Sequence, residues 1–284
     1  MMPRASTLTR SLRRTFGLDQ LRPGQREVIE AVLAGRDTLA IMPTGAGKSL
    51  CYQLPALHLE GMTIVVSPLI ALMKDQVDKL RELGLDAVEI NSTITGRNER
   101  AALEAVEGER SEFLFTTPER LTEPAFLDTL RDVTIDFIVI DEAHCISQWG
   151  HDFRPSYLAL KEAVRALGSP PILALTATAT DAVVDDIRHQ LGRPGMEVVR
   201  TGIERPNLAF EVRHVSGDEE KREALLELLS EVSGPTIVYT ATVKHVSAVA
   251  AALEGKDLPV VPYRGRLAAG RRHEVQDRFM AGEV

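Results

Sequence analysis

Short runs of hydrophobic residues alternate along the chain with longer segments whose hydrophobic residues return at helical spacing. The short runs predict buried strands, and the longer segments predict amphipathic helices that pack against them. We predict strands at 38–42, 63–67, 87–90, 113–117, 135–140 and 172–177. Strands that alternate with helices in this order favour an α/β fold, with a parallel sheet, helices on both of its faces, and the functional loops along one edge.

Capping residues and glycines set the ends of two predicted helices. The helix at 69–83 ends at Gly84, and the helix at 181–191 follows the capping residue Thr180 and ends at Gly192. A glycine directly after the last helical turn is a common stop signal, because it adopts a left-handed backbone without strain. Both segments are therefore predicted to be complete, well-bounded helices.

The amino-terminal segment is basic and also has helical spacing. Leu8, Leu12 and Phe16 recur at the interval expected for one face of a helix, which predicts a short amphipathic helix with a basic outer face. An organellar transit peptide has a similar arginine-rich and acid-poor composition. We expect the segment to belong to the fold, with a transit peptide as the alternative.

Helix and strand breakers are concentrated at 192–207, which suits a connection between two domains. After it the alternation restarts. The elements predicted there are strand 208–215, helix 219–232, strand 236–240, helix 242–253 and helix 268–280. We therefore predict one complete domain at 1–204 and the incomplete opening of a second α/β domain at 205–284.

Composition narrows the class of protein. The chain has 284 residues, of which 44% are hydrophobic, and the mean hydropathy of −0.06 argues against a membrane span. Cys51 and Cys145 suit small buried side chains better than a disulfide framework, and no Cys/His cluster has metal-ligand spacing. We expect a cytoplasmic protein without structural zinc. The net charge of −8 predicts that any contact with nucleic acid is confined to a groove.

A glycine-rich turn follows the first predicted strand. Backbone N–H groups of such a turn can point at phosphate oxygens, a lysine adds a positive charge, and a serine hydroxyl can join the shell of a Mg²⁺ ion. The residues of this candidate phosphate loop are Thr44, Gly45, Ala46, Gly47, Lys48 and Ser49. Met42 stands where the usual motif has its first glycine, so an ordinary strand-to-helix turn remains an alternative.

Two carboxylates end the strand predicted at 135–140. Asp141 suits the Mg²⁺ shell, and Glu142 suits a water that attacks the phosphate, as a base or an orienting group. His144 is then placed to sense the reaction. The alternative is that both carboxylates only cap the following helix.

An aromatic-rich stretch follows the carboxylates without clean strand or helix periodicity. It contains Trp149, His151 and Phe153, and Arg154 next to them. Aromatic faces stack on unpaired bases, and an arginine can reach a phosphate or stack as a planar cation. The alternative for Phe153 is a small hydrophobic cluster that clamps the loop.

The order of these motifs resembles that of the RecQ family of superfamily 2 DNA helicases. The segment Phe16 to Gln25 resembles the family's adenine-reading motif, and 67–73 and 117–121 resemble its strand-contacting motifs. The segment 174–179 resembles its coupling motif. Cys145 to Tyr157 is the most specific match, because it resembles the aromatic-rich loop that separates RecQ-type helicases from other DEAH proteins.

The resemblance implies roles for residues outside the phosphate loop. Arg22 and Gln25 are expected to contact adenine, although Gln25 can alternatively only begin a helix, and Thr176 and Thr178 are expected to couple ATP to DNA. Where the family usually has an aromatic residue against adenine, this chain has Leu18. We expect a softer apolar contact with the base at that position.

At the level of function, the resemblance implies 3′ to 5′ DNA unwinding driven by ATP and Mg²⁺ in repair or recombination, on single-stranded or duplex-junction DNA. The family continues beyond the motifs found here with an arginine finger and further DNA-binding regions. We therefore expect this chain to bind Mg-ATP and DNA but to unwind DNA poorly. We also expect it to be a monomer, located in the cytoplasm and associated with the nucleoid. Two alternatives stay open: a truncated non-enzymatic ATP- and DNA-binding module, and a DEAH-type NTPase directed to RNA.

Overall fold

The computed structural model describes residues 5–108, 110–150, 152–202, 207–256, 258–265 and 267–284. The chain divides into two compact units, residues 1–205 and residues 206–284. The strands of the first unit are β1 Thr38–Ile41, β2 Met62–Val66, β3 Ala87–Ile90, β4 Phe113–Thr116, β5 Ile135–Ile140, β6 Ile172–Thr176 and β7 Glu197–Arg200. Its helices are α1 Ala5–Phe16, α2 Gln25–Leu33, α3 Leu50–Ala56, α4 Ile70–Glu82, α5 Arg97–Glu107, α6 Pro118–Leu121, α7 Pro124–Leu130, α8 Leu160–Ala166 and α9 Asp181–Gln190. Short 3-10 helices lie at Ala143–Ile146 and Pro155–Ala159.

The seven strands form one sheet in the order β3-β4-β2-β5-β6-β1-β7, and every paired neighbour runs parallel. This confirms the predicted α/β fold with a parallel sheet. All carboxyl ends of parallel strands lie at the same edge of the sheet. The loops that follow β1, β5 and β6 therefore emerge side by side.

Both faces of the sheet are buried, because successive side chains of a strand point to opposite faces. Ile64 and Ile138 belong to one hydrophobic cluster, which is completed by residues of α5, α7, α8 and α9. Val65 and Val139 belong to a second cluster, which is completed by residues of α2, α3 and α4. Helices thus cover the two faces, as the sequence predicted.

Several predicted helix signals are confirmed. Leu8 and Leu12 on α1 are buried in a third cluster with residues of α2 and α3, so the amphipathic amino-terminal helix packs on the fold. The Thr180 side chain accepts a hydrogen bond from the Val183 N–H and caps α9. Gly84 and Gly192 follow their helices with φ of 78° and 65°, the left-handed backbone that glycine favours.

One strand was missed at the predicted connection. The segment 192–207 contains β7, which pairs in parallel with β1 and places Val198 opposite Leu39. Only two of the four residues of β7 are apolar, and turns directly precede it, so its hydrophobic pattern is weak. Backbone pairing with β1 stabilises this edge strand.

The second unit contains α10 Asp218–Glu231, α11 Val243–Glu254 and α12 Ala269–Met280. These agree with the predicted helices, but the predicted strands at 208–215 and 236–240 are wrong, since neither segment forms a strand. Phe210, Val212 and Tyr239 are largely exposed. A strand requires a neighbour for its N–H and C=O groups, and hydrophobic alternation alone does not supply one.

Two further expectations concern membranes and cysteines. Among the described residues, no helix is both long and apolar enough to cross a bilayer. Cys51 and Cys145 are free and buried, in agreement with the expectation that they fill small core positions.

Candidate active site

The loop between β1 and α3 carries the predicted phosphate-binding residues. Gly45 and Gly47 have φ of 85° and 79°, where a side chain would be strained. Lys48 Nζ donates a hydrogen bond to the Met42 carbonyl oxygen at 3.2 Å. Thr44 and Gly45 are exposed, and the partly buried residues of the loop are Ala46, Gly47, Lys48 and Ser49. The loop therefore lies at the carboxyl edge of the sheet with its backbone accessible.

Arg22 and Gln25, which precede β1 in the chain, form hydrogen bonds to this loop. Gln25, the first residue of α2, is buried, and its Nε2 donates to the carbonyl oxygens of Ala46 at 3.2 Å and Gly47 at 2.8 Å. Gln25 Oε1 accepts from the Arg22 backbone N–H at 2.7 Å, and the Arg22 guanidinium donates to the Gly45 carbonyl oxygen. Gln25 therefore both begins a helix and contacts the loop. The sequence suggested the first role but not the second.

The approach of Gln25 to the loop depends on Gly47. A Cβ at Gly47 would lie 2.5 Å from Gln25 Nε2, closer than real side chains allow. Beside Arg22, an open pocket of about 640 Å³ is lined by Leu8, Leu12, Leu21 and Leu54 together with polar residues that include Asp19 and Arg26. Leu18 is 44% exposed. An apolar lining that also carries a few polar groups is typical of small-molecule sites.

The two carboxylates follow β5 directly. Asp141 Oδ1 accepts a hydrogen bond from the Glu142 N–H at 3.0 Å, and Glu142 has φ 49° and ψ 45°. A non-glycine residue in this left-handed region is uncommon and such strain is concentrated at functional sites. Burial, followed by the charge of Glu142, raises the pKa of Asp141 to about 6, against the opposing effects of the Glu142 N–H and of Lys48. Lys48 and Asp141 therefore act on each other across the loops after β1 and β5.

His144 connects the carboxylates to the loop after β6. Its Nδ1 lies 3.0 Å from Thr176 Oγ1 and 3.3 Å from Glu142 Oε2. Thr176 Oγ1 in turn donates to the Thr178 carbonyl oxygen at 3.1 Å. The structure thus brings His144 into contact with the segment that contains Thr176 and Thr178, which the sequence placed in a separate motif.

The aromatic loop presents its tryptophan to solvent. Trp149 is 79% exposed, whereas Phe153 is only partly exposed. Arg154 donates to the Pro68 carbonyl oxygen at 3.2 Å and to Asp152 Oδ2 at 3.0 Å, so its guanidinium braces the loop. His151 lies outside the described residues. The partial burial of Phe153 leaves both of its predicted roles open.

Donor atoms of His144, Cys145 and Asp152 lie within 4.8 Å of one another. The Cys145 thiol donates to Asp152 Oδ2 at 3.7 Å, and burial raises its pKa to about 12. A neutral thiol is a poor metal ligand, and Asp152 already accepts from Arg154. We interpret the cluster of His144, Cys145 and Asp152 as a set of hydrogen bonds that stabilises the loop, rather than as a metal site.

Mg²⁺ fits the residues at the other end of the site. It prefers oxygen ligands, and a Ser49 hydroxyl and an Asp141 carboxylate are such ligands. Burial raises the pKa of the Tyr52 hydroxyl, the charge of Asp141 raises it further, and a hydrogen bond with the Ser49 side chain lowers it, so the Ser49 and Asp141 side chains both act on the same group. Burial and the charge of Glu142 raise the pKa of Asp141, and the opposing charge of Lys48 does not cancel these effects, so a bound cation would favour the ionised carboxylate.

Sequence reasoning missed one support of the carboxylates. The Tyr157 hydroxyl donates to the Asp141 carbonyl oxygen at 3.1 Å and fixes the turn after β5 from behind. Tyr157 is buried although it follows the exposed aromatic loop. In the sequence, only its position at the end of the aromatic-rich motif indicated that Tyr157 could have a functional role.

The family model for DEAD/DEAH box helicases matches residues 22–187, more than half of the chain. The chain therefore belongs to the DEAD/DEAH box helicase family. The matched region contains the phosphate loop, the carboxylates and Thr176.

Within that family, the chain is similar to RecQ-type ATP-dependent DNA helicases. It is 44% identical over 286 residues to the ATP-dependent DNA helicase RecQ of Bacillus subtilis, covering 100% of this chain and 48% of that protein. It is 40% identical over 279 residues to the probable ATP-dependent DNA helicase RecS of the same organism, covering 98% of this chain and 56% of that protein. The chain thus spans about half of the length of these relatives.

Solved structures agree on the fold. The crystal structure of the DUF1998 helicase MrfA bound to DNA matches 100% of this chain and 44% of its own, with a TM-score of 0.75 and 19% identity. The Mycobacterium smegmatis helicase Lhr bound to ssDNA and AMP-PNP matches 100% of this chain and 41% of its own, with a TM-score of 0.69 and 20% identity.

Proposed function

We propose that this chain is the ATP-hydrolysing motor region of a RecQ-type DNA helicase that moves 3′ to 5′ along DNA in repair or recombination. Residues 1–204 form the ATP-binding RecA-like domain, and residues 205–284 form part of a second such domain. The names of the RecQ and RecS relatives support ATP and DNA as its ligands. The monomeric state and a cytoplasmic, nucleoid-associated location belong to the same proposal.

The observation that carries the proposal is the meeting of three loops at one edge of the sheet. Lys48 in the loop after β1 acts electrostatically on Asp141, which follows β5, and His144 contacts Thr176 at the end of β6. A phosphate loop alone binds nucleotide. The added carboxylates and their link to Thr176 support hydrolysis that responds to a second ligand.

We assign the triphosphate to the loop from Thr44 to Ser49, with Lys48 against its terminal phosphates. Ser49 and Asp141 are the residues that would hold Mg²⁺, which neutralises phosphate charge when bound. Glu142 orients the attacking water and accepts its proton, and His144, whose Nδ1 lies 3.3 Å from Glu142 Oε2, holds that carboxylate. Arg22 and Gln25 hold the loop and contact the base.

We assign single-stranded DNA to the surface of the aromatic loop. The exposed ring of Trp149 suits stacking on an unpaired base, and Phe153, His151 and Arg154 complete the contact. His144, Thr176 and Thr178 carry the state of this loop to the carboxylates. DNA is thereby expected to stimulate hydrolysis.

The first test measures phosphate release by the purified chain with no nucleic acid, with single-stranded DNA, and with RNA of the same sequence. We expect DNA to stimulate hydrolysis more than RNA. Lys48→Ala should lower the rate by roughly 10²-fold or more, because one preorganised charge on the transferring phosphate is lost. Lys79→Ala is the control, since Lys79 is exposed on α4 and pairs only with Asp75.

Each alternative has its own outcome in this assay. Normal ATP binding with no DNA-stimulated hydrolysis would favour a non-enzymatic module, and stronger stimulation by RNA would favour an RNA-directed NTPase. A strand-displacement assay on duplexes with a 3′ or a 5′ tail then tests direction. Efficient displacement by this chain alone would contradict our expectation that it unwinds poorly.

A further inference from the structure

A hydrogen bond from a buried serine to a partly buried carboxylate joins the aromatic loop to α9. Ser147 is fully buried, and its Oγ donates to Asp186 Oδ2 at 2.7 Å. The same Oγ accepts a hydrogen bond from the Trp149 backbone N–H at 3.2 Å. Asp186 Oδ1 accepts from Gln190 Nε2 one turn further along α9, so both carboxylate oxygens are engaged. Asp186 therefore orients the Ser147 hydroxyl, and this hydroxyl accepts a hydrogen bond from the Trp149 backbone.

The turn that carries Trp149 is built around Ser147. The Gly150 N–H donates to the Ser147 carbonyl oxygen at 2.9 Å, in addition to the bond from the Trp149 N–H. A Cβ at Gly150 would lie 2.3 Å from the His144 carbonyl oxygen, so the turn folds tightly back on the 3-10 helix. Because the Trp149 ring is mostly exposed, these backbone contacts matter more than ring packing for its placement.

The same segment is attached to the start of α9 at a second point. His144 contacts Thr176, Thr176 donates to the Thr178 carbonyl oxygen, and Thr180 caps α9. Residues 144–147 are thus linked to the β6–α9 connection at one end and to the body of α9 at the other. A displacement of α9 relative to β5 would move the Trp149 turn with it.

We propose that Asp186 is a positioning residue, which fixes the Trp149 turn to α9 through Ser147. Building on the proposed function, this contact makes the DNA-contacting loop and the Thr176–Thr178 connection move as one unit. Asp186 touches neither nucleotide nor DNA. Its effect is transmitted through the Ser147 hydroxyl.

The first experiment needs neither ATP nor DNA. Trp149 is the only tryptophan of the chain, so ¹⁵N-tryptophan labelling gives a single backbone amide signal. We expect Asp186→Ala to lower the order parameter of that amide from about 0.85, typical of rigid backbone, to below about 0.6. Asp185→Ala is the matched control, because Asp185 is the neighbour of Asp186 on α9, and its side chain is 78% exposed and lies 3.9 Å from Arg188.

The second experiment measures hydrolysis. Asp186→Ala should reduce stimulation by single-stranded DNA by roughly 5-fold or more, the usual lower range of coupling between two sites, and leave hydrolysis without DNA unchanged. Asp186→Asn should lie nearer the wild type in both experiments, because its amide oxygen still accepts from Ser147. Asp185→Ala should behave as the wild type.

Ser147→Ala guards against a folding artefact. It removes the hydroxyl and keeps the charge of Asp186, so it should reproduce the effect of Asp186→Ala, and the double variant should add little. Equal Trp149 order in the wild type and in both single variants would overturn the proposal, as would unchanged DNA stimulation with a mobile turn. If the wild type shows no DNA stimulation, the proposed function fails, and the order parameter still decides whether Asp186 positions the turn.

Discussion

The two units of the chain respond differently to similar hydrophobic patterns. In the first unit, six hydrophobic runs form strands of a seven-stranded parallel sheet with clusters on both faces. In the described part of the second unit, comparable runs at 208–215 and 236–240 stay unpaired, and Val212 and Tyr239 are 81% and 89% exposed. A hydrophobic run therefore specifies a strand only where a neighbouring strand accepts its hydrogen bonds.

The contrast extends to chemistry. Parallel pairing places the loops after β1, β5 and β6 at one edge, so residues that are far apart in sequence meet there. His144 and Thr176 are 32 positions apart and lie 3.0 Å from each other. In the described part of the second unit, the regular elements are helices, and the buried hydrophobic residues are Ala250, Leu253 and Val275. We therefore expect sensitive positions to be concentrated in the first unit.

The largest expected effect is at Glu142. Glu142→Gln keeps the size of the side chain and removes the base, so the rate of ATP hydrolysis should fall by roughly 10²- to 10⁴-fold while ATP binding changes little. Steady-state phosphate release and equilibrium nucleotide binding measure the two quantities. Glu162→Gln on α8, where the side chain is exposed, is the control. A Glu142 variant with more than half of the wild-type rate would remove Glu142 from the mechanism.

The next effect compares a buried isoleucine of a strand in the first unit with an isoleucine of an unpaired hydrophobic run in the second. Ile138 is fully buried in β5, and Ile138→Ala should lower the free energy of unfolding by ~2–5 kcal/mol, because it leaves a cavity in the packed sheet. Ile237 is 60% exposed, and Ile237→Ala should change it by less than about 0.5 kcal/mol. Urea unfolding followed by far-UV circular dichroism measures both. Equal losses would show that 236–240 is packed in solution.

A smaller effect separates two exposed aromatic residues. Trp149 and Tyr239 are 79% and 89% exposed, yet we place only Trp149 on DNA. Trp149→Ala should weaken binding of single-stranded DNA by ~1–3 kcal/mol, the value of one base stacked on an aromatic ring. Tyr239→Ala should leave it unchanged. Fluorescence anisotropy of a labelled oligonucleotide reports both affinities, and equal losses would argue against a dedicated stacking residue in the first unit.

Much of the fold followed from local sequence patterns. β3 and β5 were predicted residue for residue, and β1, β2, β4 and β6 to within one residue at either end. These strands are central or hydrophobic enough to show in the sequence. β7 was missed because pairing with β1, rather than its two valines, stabilises it. The strands predicted at 208–215 and 236–240 do not form, because these hydrophobic runs have no neighbouring strand to pair with.

The candidate site was predictable where its residues are contiguous. Two short motifs each indicate a chemical role by themselves: phosphate binding for the loop from Thr44 to Ser49, and metal binding and water activation for Asp141 and Glu142. The hydrogen bonds from Gln25 to Ala46 and Gly47 span 21 and 22 positions, and no local pattern indicates them. Such contacts depend on how the strands are ordered, which one sequence does not reveal.

The smallest effect concerns the base rather than the phosphates. Leu18 is 44% exposed near Arg22, at a position where we expect an aliphatic side chain to give a soft contact with adenine. Leu18→Phe should gain ~0.5–1.5 kcal/mol of ring stacking and lower the Michaelis constant for ATP by roughly 2- to 10-fold, with little change in kcat. Leu83→Phe is a matched control, because Leu83 is 41% exposed at the end of α4. An unchanged Michaelis constant in Leu18→Phe would mean that the base does not stack at this position, and that Arg22 and Gln25 act mainly by holding the phosphate loop.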